Sequence, residues 1–86
     1  MYNVEVGSIN EVDLSVLEFP QVAVYNGPED FPHHAVARVF DNEKPTNVIV
    51  KAENLELLKK DIRENTSLVW VPRGKEDVRS LEGVFL

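Results

Sequence analysis

The sequence of 86 residues contains no cysteine. That excludes a disulfide framework, a thiolate zinc site and a cysteine nucleophile. No apolar run approaches the ~20 residues a membrane-spanning helix needs. The opening residues, Met1 to Val6, lack the basic-then-apolar order of a secretory signal, so none is expected. The four glycines are isolated from one another, which leaves out a Walker loop and a dinucleotide fingerprint. Cations are missing from the first third: no lysine or arginine precedes Arg38, and residues 1–43 carry eight acids against that one base. Direct binding to nucleic acid, which wants a basic patch, is therefore not expected. An acidic half suits a basic partner, or serves solubility alone.

What is present is ordinary globular composition, 43% hydrophobic and 28% charged. A chain this short buries only ~60–65% of its unfolded surface, so it builds one modest core. We expect one domain over residues 1–86, with residues 1–18 as a loosely ordered arm. Tyr2, Val4 and Val6 alternate as a short strand would, and Gly7-Ser8 breaks the pattern. Gln21 to Tyr25 is a β-branched run closed by Asn26-Gly27-Pro28. His34 to Phe40 and Thr46 to Lys51 read as strands joined by a five-residue loop. Over residues 53–64, Leu55, Leu58 and Ile62 recur at helical spacing, with Glu53 or Asn54 as cap and Asn65 as a left-handed stop. Ser67 to Val71 and Leu81 to Leu86 complete the pattern, with a polar loop over residues 73–79 between them. The expected fold class is α+β: a mostly antiparallel sheet of four or five strands, in the order β-β-β-α-β-β, with one helix on one face.

A single helical stripe covers only one side of such a sheet. Ala35, Ala37 and Val39 share one face of their strand, and their small size suits a helix. Val36, Arg38 and Phe40 point the other way, as does Ile49 on the next strand. Tyr25, Trp70 and Phe85 are expected beside them, with Val24, Val69 and Val84 on the helix side. Exposed aromatic area of this size marks an interaction site. Three occupants are open: the N-terminal arm folded across the face, a second copy of the chain, or a different protein.

Catalytic and metal-binding patterns are thin. His33-His34 is the only histidine pair, and neighbours on a strand point to opposite faces, so they do not chelate together. Asp30 and Asp41 would help only from loops folded inward. Ser8, Ser15, Ser67 and Ser80 lack a nucleophile elbow. Glu29-Asp30 sits in a turn bounded by glycine and proline, the common setting for acidic loop residues. The cations Arg73, Lys75 and Arg79 are offset by Glu76, Asp77 and Glu82. No enzyme, cofactor or metal is expected.

The run Phe31-Pro32-His33-His34-Ala35-Val36-Ala37-Arg38-Val39-Phe40-Asp41, then Lys44-Pro45-Thr46-Asn47-Val48-Ile49-Val50 and a capped leucine-rich helix, resembles small uncharacterised proteins of Gram-positive bacteria. The likeness runs from Phe19 to about Val71 and implies a cytosolic protein without implying an activity. The strands and the helix opening at Glu53-Asn54-Leu55 are also similar in architecture to HicB-type antitoxins, whose partial ribonuclease-H-like domain binds a small basic toxin. Of that family's loop signature, Phe31-Pro32 is the part matched. This resemblance implies an acidic, antitoxin-like partner of a basic protein, or a mimic that blocks a nucleic-acid-binding protein. The reading that unites these features is a non-catalytic protein-interaction module of a bacterial cytoplasm. Its contact residues would be Tyr25, Val36, Arg38, Phe40, Ile49 and Trp70, meeting another protein or a second copy, with no membrane involved.

Overall fold

A computed structural model describes residues 3–74 and 80–86. Its strands are β1 (Val4–Val6), β2 (Pro20–Asn26), β3 (Ala35–Asp41), β4 (Lys44–Ala52), β5 (Trp70–Pro72) and β6 (Leu81–Phe85), with one helix, α1 (Leu55–Asn65). The expected α+β class with one helix is present. The sheet has six strands instead of four or five, and it is mostly antiparallel as expected, with one parallel pairing. The added strand is β1, whose three residues pair in parallel with β4. Tyr2 lies outside the described residues, as do Lys75, Glu76, Asp77 and Arg79 of the expected polar loop.

Local chemistry accounts for the helix. The Asn54 side chain accepts a hydrogen bond from the Leu57 amide at 2.9 Å, closing the first turn. The expected left-handed stop at Asn65 is not used. Asn65 completes the last turn by donating to the Asp61 carbonyl at 2.9 Å. Extended Thr66 ends the helix, its amide and its hydroxyl both donating to the Ile62 carbonyl. Asn54→Ala is expected to lower stability by about 1 kcal/mol, read as a fall in thermal midpoint with an unchanged circular dichroism spectrum.

The β3–β4 hairpin is tighter than its polar sequence suggests. Its turn is Asn42-Glu43 alone, with φ of 52° and 68°, the positive pair that matches the twist of adjoining strands. Asparagine tolerates that conformation, whereas glutamate does so at a cost. The turn is held from β2 and the segment before it: Asn42 donates its amide to the Phe19 carbonyl, and Glu43 donates its amide to the Gln21 side chain at 2.9 Å. Lys44 and Pro45 are thereby strand residues, and the irregular stretch falls later. Pairing shifts between Arg38 and Phe40. There the Thr46 hydroxyl donates to the Val39 carbonyl and accepts from the Val48 amide, occupying the gap in the ladder.

The strand order is β1-β4-β3-β2-β6-β5. From the pairings, β1, β2, β4 and β5 all run the same way. Two connections therefore cross between parallel strands, β1 to β2 and β4 to β5, and both step in the same direction along the sheet. Such crossovers strongly prefer one hand, so both are sent to the same face. This is why the N-terminal arm lies beside α1, which removes it from the three occupants left open for the opposite face. The arm carries two 3-10 turns, Ile9–Glu11 and Leu14–Val16. Ile9 is buried among Leu58, Ile62, Val22, Val24 and Val39, and Val12, Leu14 and Leu17 pack around that core.

Candidate functional site

With both crossovers on one side, the other sheet face is left to be covered by loops or by nothing. Register determines its composition. One row runs Glu5, Ile49, Arg38, Ala23, Val84, Val71 across six strands. The rows flanking it are Lys51, Val36, Tyr25, Leu81 and Pro45, Phe40, Gln21.

Residues 27–34 cover one half. Gly27, at φ 63°, turns the chain back, and its amide donates to the His34 carbonyl at 2.9 Å. Pro28 and Phe31 then stand over Val36 and Ile49, both of which are buried. The Lys51 ammonium sits 5.3 Å from the Phe31 ring centre and 3.4 Å from the Glu5 carboxylate. What remains there is a small recess of about 180 Å³ lined by Tyr25, Asp30, Phe31, Val36, Arg38, Ile49 and Ser80.

Among the described residues nothing covers the other half. Ala23, Phe40, Val71, Pro72, Leu81, Val84 and Leu86 line a mostly apolar depression of about 380 Å³, with Gln21, Glu43 and Arg73 at its rim. Val71 is 44% exposed and Leu86 50%. Comparison with protein-family models, with curated proteins and with solved structures finds no match.

Of the six residues expected at the contact face, Tyr25, Val36, Arg38 and Ile49 gather at the covered half and Phe40 lines the open half. Trp70 does not join them. It pairs with Phe85 and lies on the helix side, its ring 4.9 Å from that of Phe85 and beneath the Lys59 ammonium at 4.5 Å. Phe85 is likewise in the core, and Val84 takes the face assigned to it. The inversion has a simple cause. Residues 84–86 and 69–71 are apolar on both sides, so a one-residue change of phase costs little in pattern. Pairing of Val22 with Phe85 settles the phase. The same inversion hid Val71, Val84 and Leu86 as members of the open face. The only hint was Gly83, too small to be a useful core residue and hence a mark of close packing on its side.

Arg38 meets no carboxylate within ion-pair distance among the described residues. Its Nη1 donates to the Thr46 carbonyl at 3.0 Å and to the Asn3 side chain at 3.2 Å. The irregularity in β4 thus positions the guanidinium from below. Among the described residues, no three histidine or acidic side chains converge as a metal site would need, and no helix is long and apolar enough to cross a membrane.

Proposed function

We propose that the chain is a non-catalytic protein-interaction module of a bacterial cytoplasm, docking through the open half of its second sheet face. The observation that carries this reading is that Phe40, Val71, Val84 and Leu86 form one apolar depression that no crossover or loop covers among the described residues. Apolar clusters ringed by a few polar groups are the usual form of a docking patch. The acids give less support to an acidic mimic. Carboxylates of Glu11, Asp13, Asp41 and Asp61 accept hydrogen bonds from neighbouring amides instead of forming a free row.

Photo-crosslinking in cells tests the reading. A photoreactive residue at position 40 should yield a discrete adduct. The same residue at position 57, more exposed than Phe40 but on α1, should not. Indistinguishable smears from both positions would remove the proposal.

A further inference from the structure

We propose that Asn26 is a site of spontaneous modification, converted to isoaspartate by the amide that follows it, and that opening of the loop 27–34 sets the rate. Of the seven asparagines, Asn26 alone precedes a glycine; the others precede valine, glutamate, leucine or threonine. The reaction requires the backbone nitrogen of the next residue to reach the side-chain carbonyl carbon. A side chain on that next residue hinders the approach, and glycine has none. The Gly27 nitrogen attacks Cγ of Asn26. A bond forms between them, the bond from Cγ to the side-chain nitrogen breaks, and ammonia leaves with the proton that the Gly27 nitrogen gives up. Water then opens the five-membered ring at either carbonyl. One opening gives aspartate; the other routes the main chain through the side chain and gives isoaspartate. Water is the only other reactant.

The fold restrains both reacting residues. Gly27 donates its amide to the His34 carbonyl at 2.9 Å, so the attacking nitrogen is committed while the loop is shut. Asn26 donates its own amide to the Ser80 carbonyl at 2.8 Å and pairs with Ala35 at the end of β2. These bonds hold Asn26 in strand geometry, and closing the ring requires the backbone to rotate out of it. Both residues are exposed, so water reaches them once the bonds part. Phe31 keeps the loop shut, standing over Val36 and Ile49 with the Lys51 ammonium 5.3 Å from its ring centre. A loop held by so few contacts opens locally while the sheet stays folded. Conversion then acts on the same loop. Isoaspartate adds an extra carbon to the main chain and a carboxylate at the end of β2. The Gly27 amide is carried away from the His34 carbonyl, and the loop loses its anchor. Val36 and Ile49, buried beneath it, become accessible, so the modified chain presents a different second sheet face.

Prolonged incubation at neutral pH tests the proposal, with peptide mapping by mass spectrometry that separates isoaspartate from aspartate. In urea the unfolded chain should convert first at Asn26. The folded chain should convert there roughly a hundredfold more slowly, the fraction of time its loop is open. Phe31→Ala should speed conversion of the folded chain roughly tenfold, since the ring's burial holds the loop down, and should leave the rate in urea unchanged. Unaltered amide signals of β3 and β4 show that this variant is folded, and the comparison with urea stands without it. The isolated isoaspartate form should lose hydrogen-exchange protection at Gly27, whereas Asn26→Gln, incubated alike, should keep it. The proposal is overturned if the folded and unfolded chains convert equally fast, if another asparagine converts first in urea, or if Phe31→Ala leaves the folded rate unchanged. An isoaspartate form that keeps its Gly27 protection overturns the release of the loop.

Discussion

Replacing Gly83 by alanine is expected to cost about 2–3 kcal/mol and to lower the thermal midpoint by roughly 10–20 °C. Gly83 lies in β6, on the helix side, opposite Val24 in β2 and Pro72 in β5. A Cβ placed there would come within 2.6 Å of two Trp70 ring carbons and within 2.6 Å of the Val71 carbonyl oxygen. The tryptophan ring reaches from its position beside Phe85 across the space the glycine leaves, with Lys59 above it. Moving the ring alone does not relieve the clash, because the carbonyl belongs to the paired strand. β5 has only three residues, so it has few other bonds with which to resist being pushed away. The fluorescence of the sole tryptophan should shift to the red as the ring loses its apolar seat. An unshifted spectrum with an unchanged midpoint would show that β5 adjusts freely and that the glycine is incidental.

Asp61→Ala is the second large effect, about 2 kcal/mol, since hydrogen bonds to a charged group each contribute ~1.5–3 kcal/mol. From α1 the carboxylate accepts from the Ile9 amide at 2.7 Å, the Ser8 hydroxyl at 2.8 Å and the Asn65 side chain at 3.0 Å. It thereby holds the first 3-10 turn against the helix while Ile9 enters the core. Removing it leaves the Ile9 amide partly buried without its acceptor. Heteronuclear relaxation should then report fast motion for residues 8–12, while β3 and β4 keep rigid amides. Uniform rigidity throughout would mean that burial of Ile9 suffices to seat the arm.

These two sites differ in how far they could be foreseen. Gly83 stands in the sequence as a glycine inside the last expected strand. Asp61 was one acid on an exposed helix, and Ser8 stood 53 residues away, so nothing local joined them. The contact face shows the same division. Val36, Arg38, Phe40 and Ile49 were assigned to one face by alternation along β3 and β4, and the sheet keeps them there. Trp70 was assigned to that face as well, and the pairing of Val22 with Phe85 and Phe85 with Trp70 moves it to the other.

Features set within a few residues of chain were readable in advance: the helix over its Leu55, Leu58 and Ile62 stripe, the hairpin, and the inward and outward sides of its strands. Periodicity and turn chemistry act at that range. The hand of the crossovers, the phase of β6, the seat of the arm and the half of the face left open were settled only by the assembled sheet. Each depends on which distant strand becomes a neighbour, and in segments apolar on both sides two answers satisfy the local pattern equally well.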